Sequence, residues 1–280
     1  MEFVSFETGQ GTGYGLLQGT RIRRLDQSCN RPATLKGLLA ELDRHDLSDG
    51  PDLDLDAVTL LPPIPDPGKV FCVASNFREG KPAPDYPLLF TRCAEAQTGH
   101  RSPILMPAVS DSFDFEGELA VVIGQPGHKI ERSRAWHHIA GYACFNDGSV
   151  RDWQKHSSQF TPGKNFYRSA GFGPSLVTPD AVPDFTALTL TTRVNGEVKQ
   201  QIGMADMIFD PAWLIAYIST FCPLNAGDVI VTGTPGGFGA TREPKEFLSV
   251  GDVVEVEIPS VGHLINPVTR DHDLRSELFS

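Results

Sequence analysis

Paired cysteines, runs of basic residues and long apolar stretches are all missing from this sequence, and each absence removes a class of protein. The five cysteines, Cys29, Cys72, Cys93, Cys144 and Cys222, are odd in number, scattered and free of any Cys-x-x-Cys spacing. That pattern excludes a disulfide framework or a zinc knuckle and reads as buried thiols of a cytoplasmic protein. Acidic residues outnumber basic ones, 35 to 24, for a formal net charge of −11. With no Lys/Arg run to form a basic patch, neither nucleic acid nor an anionic membrane surface is an expected partner. No apolar run approaches the roughly 18 residues of a membrane span, and "MEFVSFETGQGTGYG" has neither a basic leader nor an apolar h-region, so a soluble protein is expected. The eight histidines include no metal-binding pair at helical spacing; the adjacent His137 and His138 would diverge on a helix and read as structural or exposed. There is no Gly-x-Ser-x-Gly elbow and no cysteine in an activating context, which removes the common nucleophilic hydrolases.

What is present suits a sizeable core: 280 residues, 40% of them hydrophobic. The first part alternates short apolar stretches with Gly-rich turns, and "ATLKGLLAEL" then carries a helical period, which predicts a small α+β domain over residues 1–61. Four prolines and a glycine crowd "LLPPIPDPGK", and residues 62–68 read as a linker, with a main domain over 69–280. In that domain β-type runs such as "KVFCVAS", "GELAVVIG", "IAGYACFN", "LTLTTRVNG", "DVIVTGTP" and "DVVEVEI" are interrupted by few helical segments, chiefly "DPAWLIAYISTF". Without regular helices between strands, the expected class is α+β and β-rich, a mixed roll or barrel rather than a doubly wound parallel sheet. The tail after Val268 is charged and reads as a mobile end.

One strand carries the chemistry. In "FDFEGELAVVIG", residues 113–124, the period of two places Phe115, Gly117, Leu119, Val121 and Ile123 on one face and Asp114, Glu116, Glu118, Ala120 and Val122 on the other. Three carboxylates about 7 Å apart cannot share a dry site unless a proton or cation offsets them. A hard cation such as Mg²⁺ or Mn²⁺ prefers such oxygens, and two acids at i and i+2 can supply adjacent positions around it. A third ligand could come from Asp147 in "CFNDGSVRDWQ", where a strand ends in a turn. The same acids also fit the solvated face of an amphipathic strand. Close by in the chain, Arg151, Gln154, His156 and Lys164 offer the cations and amides that recognise a small carboxylate, and "VTGTPGGFG" offers backbone N–H groups and the Thr234 hydroxyl to an oxyanion.

Taken in order, "KVFCVASNFRE", "FDFEGELAVVIG", "GYACFNDGSVRDWQ", "GKNF", "GPSLVTPD", "MADMIFD", "GDVIVTGTPGGFG" and "GDVVEVEIPSVGHLINPV" resemble the conserved blocks of the fumarylacetoacetate hydrolase family over roughly residues 69–268. The resemblance implies a β-rich roll with a small N-terminal domain, usually a homodimer. It implies that Glu116, Glu118 and Asp147 hold Mg²⁺ or Mn²⁺, that Lys164 is the site lysine, and that Arg151, Gln154, Thr234 and Phe77 meet the substrate. A 2-oxo or 1,3-diketo acid is the implied substrate class, its enolate stabilised by the metal.

One departure bears on the reaction. Many members of the family follow the first block with a His and Glu that activate water on a short lid helix; here the chain runs "NFREGKPAPDYPLLF", several residues shorter, with Gly80 where the His would stand. Glu79 is the acid nearest that position in the chain and becomes the candidate catalytic group beside Lys164. The expected activity is metal-dependent hydrolysis of a C–C bond in an acylpyruvate-like acid. The alternatives are an isomerase, decarboxylase or dehydratase working through the same enolate, and a non-catalytic paralogue that binds metal and an oxo acid.

Overall fold

The computed structural model describes residues 1–80 and 82–271, so Lys81 in the shortened segment and the charged tail from 272 onward lie outside the described residues. The backbone is mostly strand, and the strands form open sheets: among the described residues none closes into a barrel, so of the two expected forms the roll is the one observed. The largest sheet has twelve strands. Its centre runs from Glu2–Thr8 through Ala170–Val177, Ile139–Asn146, Gly117–Ile123 and Val229–Val231 to Val70–Ala74, and Leu88–Thr91 lies at its edge. Most pairs are antiparallel, whereas Val229–Val231 runs parallel to Val70–Ala74. A second sheet of five strands contains Thr189–Val194, Glu197–Gly203, Val253–Ile258 and Gly262–Arg270.

The N-terminal residues extend the large sheet. Phe3 pairs with Leu176 and Glu2 with Val177, and Phe3, Tyr14, Leu35 and Leu38 share an apolar cluster with Val70, Cys72, Ala120 and Val231. The opposite face of the sheet packs Leu119, Val121 and Ile123 against Leu214, Ile215 and Ile218 of the helix Pro211–Phe221 and against Val256, Ile258 and Leu264 of the second sheet. Gly117–Ile123 is therefore buried on both faces, as the continuous apolar run "LAVVI" requires. The helix that covers it starts where expected: Asp210 caps it by accepting from the Trp213 N–H at 2.7 Å, and Pro211 occupies the first turn, where a missing N–H is harmless.

The acidic stretch is not one strand. Phe113–Asp114 pairs with Ser149–Val150 in a separate two-stranded ladder, and only from Gly117 does the chain join the large sheet. Between the two, the backbone is held by side chains and by one backbone bond from the neighbouring segment. The Phe115 N–H donates to Asp114 Oδ1 at 2.9 Å, the Glu116 N–H donates to Asn146 Oδ1 at 3.0 Å, and the Glu116 carbonyl accepts from the Asp147 N–H at 2.8 Å. This break separates Asp114 from the other two acids. It also overturns the reading of a solvated face, because Asp114, Glu116 and Glu118 are all buried.

Asn76 ties three loops together around the end of this sheet. Its Nδ2 donates to the carbonyls of Phe209 (3.0 Å) and Thr232 (2.7 Å), while its Oδ1 accepts from the Phe209 N–H at 2.9 Å. The side chain is fully buried, so its loss strands three backbone groups in a dry interior. Asn76→Ala is expected to lower stability by about 2–3 kcal/mol, the cost of leaving such groups unpaired. Urea denaturation at equilibrium checks this; a loss under 0.5 kcal/mol, the order of a neutral surface change, would show that water replaces the side chain.

Candidate active site

Glu116, Glu118 and Asp147 converge. One carboxylate oxygen from each lies within 4.8 Å of the others, although the third comes from a different strand end. Exposure is 6% for Glu116, 1% for Glu118 and zero for Asp147. Register explains the convergence: Gly117 pairs with Asn146 and Glu118 with Phe145, which leaves Asp147 just beyond the end of its strand and level with Glu116. At Gly148 an added Cβ would meet the carbonyl of Ser169, so a residue without a side chain lets the chain turn away at that point.

Cations answer most of this charge. The Lys164 ammonium lies between Glu116 Oε2, at 2.8 Å, and Asp147 Oδ2, at 2.5 Å. Arg92 donates from Nη1 to Asp147 Oδ1 at 2.5 Å and to the Gly148 carbonyl at 3.2 Å, and from Nη2 to Ser169 Oγ at 2.9 Å. Arg151 reaches Asp114 Oδ2 through Nε at 2.7 Å, Glu116 Oε1 through Nη1 at 2.6 Å, and Gln154 Oε1 at 3.0 Å. Asp114 also accepts from the N–H groups of Gly239 (2.7 Å) and Ala240 (2.9 Å), so it serves to hold Arg151 and the 239–240 turn rather than a ligand. Burial opposes the charge on Lys164, but Asp147 and Glu116 outweigh it and hold the amine above its ordinary pKa; it stays an ammonium. Burial likewise works against ionised Asp147, yet Lys164 and Arg92 bring that carboxyl below the usual range.

Among the described residues no cation pairs with Glu118. Its one hydrogen-bond donor among the described residues is the N–H of Gly233, at 2.5 Å, made possible by a backbone φ of +103° that favours glycine. Burial first, then Asp147 and Glu116, push its pKa well above the ordinary value. Asp114, Glu116, Glu118 and Asp147 outnumber Arg92, Arg151 and Lys164 by one, and Glu118 is the carboxyl left without a cationic partner among the described residues. A small, hard divalent cation fits this donor set: three converging carboxylates, no sulfur or imidazole among them, and one of them lacking a counter-charge.

A cavity of about 320 Å³ opens onto these groups. Glu116, Glu118, Lys164, Arg151, Gln154, Thr234, Phe77 and Glu79 all line it, with Phe90, Phe160, Leu88, Ile208 and Phe238 as apolar walls. Asp147, fully buried, does not line the cavity and is joined to it by Lys164, which bridges it to Glu116. Glu79 lies on an exposed rim, its Oε1 accepting from the Gly236 N–H. The Thr234 hydroxyl donates to the Gly117 carbonyl and accepts from Gln200 Nε2, both at 2.8 Å, so its position is set before any ligand arrives. His156 does not line the cavity; its ring lies against Trp153, with centroids 4.9 Å apart. Arg92 and Gln200 escaped the sequence reading. Each stands alone in its segment, and contacts 55 or 83 positions away, to Asp147 and to Gly117, leave no local signal.

Comparison with known proteins agrees with this geometry. Residues 69–269 match the fumarylacetoacetate (FAA) hydrolase C-terminal family. The mitochondrial oxaloacetate tautomerase of Xenopus laevis is 40% identical over 218 residues, covering 75% of this chain and 68% of that protein. Among solved structures, a fumarylacetoacetate hydrolase from Exiguobacterium antarcticum superposes with a TM-score of 0.87 at 32% identity, over 96% of this chain and 99% of the other. The 2-hydroxyhepta-2,4-diene-1,7-dioate isomerase of Mycobacterium marinum gives 0.81 at 32% identity, over 97% and 99%.

The uncompensated carboxylate makes a pH signature for the metal-free protein. A carboxyl whose pKa is raised on folding favours the folded state at low pH and loses that contribution as pH rises through the folded value. The metal-free protein should therefore lose stability as pH rises above the ordinary carboxylate range, and Glu118→Gln should remove that component while weakening divalent-ion binding at least tenfold. Urea unfolding in chelator across pH checks the first part and calorimetric metal titration the second; identical pH profiles for the two proteins would contradict it.

Proposed function

The chain belongs to the fumarylacetoacetate hydrolase family, and on that premise we propose that it is a tautomerase of small 2-oxo acids, interconverting keto and enol forms of an oxaloacetate-like substrate with the help of Mg²⁺ or Mn²⁺. The observation that carries this reading is the composition of the cavity: an acidic triad and an ammonium stand together, and no histidine lines it among the described residues. Hydrolytic C–C cleavage, the activity first expected, needs a water deprotonated at the right place. Tautomerisation needs only a proton moved between carbon and oxygen while negative charge is held on the oxygen. The name of the Xenopus relative supports the same choice.

Glu116, Glu118 and Asp147 would hold the cation, which when bound supplies a Lewis acid for the oxo acid's oxygens. The remaining roles belong to side chains. Lys164, kept protonated by its two carboxylate partners, presents Nζ as a fixed positive charge and proton donor to the oxygen that becomes anionic. Gln154 uses its carbonyl on Arg151, which leaves its amide NH₂ for the substrate, and Thr234 contributes a pre-positioned hydroxyl oxygen. Phe77, Phe90 and Phe160 exclude water from the reacting end. Glu79, on the rim, takes the proton from the carbon next to the oxo group. The five cysteines, all unpaired, suit a reducing compartment such as the cytoplasm, and the homodimer belongs to the same reading.

Enol-to-keto conversion of oxaloacetate, followed by the loss of enol absorbance with Mg²⁺ or Mn²⁺ present, tests the proposal against cleavage of an acylpyruvate under the same conditions. Tautomerisation should be the faster reaction. Glu79→Gln should lower its kcat by about 10² to 10⁴, the usual worth of a positioned base. Arg151→Lys should raise KM, because a point charge cannot hold Asp114, Glu116 and Gln154 together as the fork does. Acylpyruvate cleavage that outpaces tautomerisation and ignores Glu79→Gln would replace the tautomerase reading with a hydrolase.

A further inference from the structure

Arg151 forms part of the wall of two cavities. Besides the one described, a second, of about 410 Å³, is lined by Ser112, Arg151, Asp152, Gln154, Lys155, Phe238, Ala240, Lys245 and Phe247. Arg151, Gln154 and Phe238 stand between the two, with the guanidinium 4.4 Å from the centre of the Phe238 ring. The guanidinium nitrogens are unevenly used. Nε is occupied by Asp114 and Nη1 by Glu116 and Gln154, whereas Nη2 is buried with no hydrogen-bond partner, on a residue only 8% exposed. A charged donor left unpaired in the interior costs several times what an ordinary hydrogen bond returns, so its retention calls for an acceptor.

The second cavity is suited to supply one. Lys155 and Lys245 line it, both are exposed, and neither makes an ion pair among the described residues, in a protein where acids outnumber bases 35 to 24. The single acid in the wall, Asp152, is engaged elsewhere, its Oδ1 accepting from Ser110 Oγ at 2.6 Å. Two free ammonium groups line this space, and Arg151, whose Nη2 has no partner, forms part of its wall; together they make a donor set suited to an oxyanion.

We propose that this second cavity binds a small oxyanion, a carboxylate or a phosphate, through Arg151 Nη2, Lys155 and Lys245. Because Arg151 also holds Glu116, occupancy here steadies a residue of the active cavity from behind. The site goes beyond the tautomerase reading and does not depend on it.

Calorimetric titration of the metal-free full-length protein with inorganic phosphate and with succinate tests it; neither carries an oxo group. At least one should saturate a single site on the wild type, and which one does identifies the source of the anion. Lys155→Ala/Lys245→Ala should weaken that binding by about tenfold or more, as loss of two charge-assisted contacts would. Lys36→Ala/Lys129→Ala, with the same net charge, should bind as the wild type does. Oxo-acid turnover without added anion should be unchanged in the Lys155/Lys245 variant. The proposal fails if neither anion saturates, if the Lys155/Lys245 variant binds as tightly as wild type, which would place the anion in the active cavity, or if the control variant loses as much affinity.

Discussion

The structure around the cavity is organised by one electrostatic constraint: four carboxylates are brought into a dry interior and must be matched there. Bringing Asp114, Glu116, Glu118 and Asp147 together without partners would cost far more than the whole stability of a domain. Arg92, Arg151 and Lys164 converge from three different segments to meet them, each making at least two hydrogen bonds to the cluster or its supports. The matching is incomplete by one charge. That deficit makes the cluster a place for a divalent cation and, once such a cation is bound, gives the site a net positive charge to meet an anionic substrate.

The backbone around the cluster follows from the same demand. A continuous strand from Phe113 to Ile123 would hold its three acids on one face, mutually repelling. Interrupting it after Asp114 sends that carboxylate to Arg151 and to the Gly239 and Ala240 N–H groups, and leaves Glu116 and Glu118 with Asp147. Asn146 fills the gap by taking the Glu116 N–H that the ladder no longer accepts. Gly233 and Gly148, at the ends of neighbouring strands, make room for backbone to approach the acids closely. Rigid sheet on both sides of Gly117–Ile123 then keeps the ligand positions from relaxing apart.

How far the sequence could be read depended on the distance over which each feature acts. The β-rich class was legible because strand alternation and turn residues are local, and the helix at Pro211–Phe221 was announced by its Asp-Pro start. Glu116 and Glu118 were legible as a pair because two positions along a strand return to the same side. Asp147, Lys164, Arg151, Gln154 and Thr234 were candidates from residue type and nearness in the chain, the family resemblance gave them roles and added Phe77, the departure from the family pattern singled out Glu79, and the fold places all of them at or beside one cavity. The unbroken acidic strand and the place of His156 were misjudged, since periodicity says which residues share a face and is silent on where a ladder breaks and what covers it.

The amino-acid sequence by itself determined the class of fold, the kind of chemistry its acids could support and the absence of a histidine from the shortened segment after Asn76. Those are properties of residue identity and of spacing over a few positions. Only the tertiary structure decided that Asp114 leaves the acidic trio, that Arg92 and Gln200 enter the site, that Glu118 is the carboxylate without a cation, and that Arg151 faces two cavities. Each of these depends on contacts between segments 30 to 126 positions apart, from the Ala240 contact with Asp114 at one extreme, through those of Glu118 with Gly233 and of Arg92 with Asp147, to the return of Asn146 onto Glu116. Charge is balanced in space rather than along the chain, and spatial neighbours at such separations are set by sheet register and burial, which no local pattern encodes.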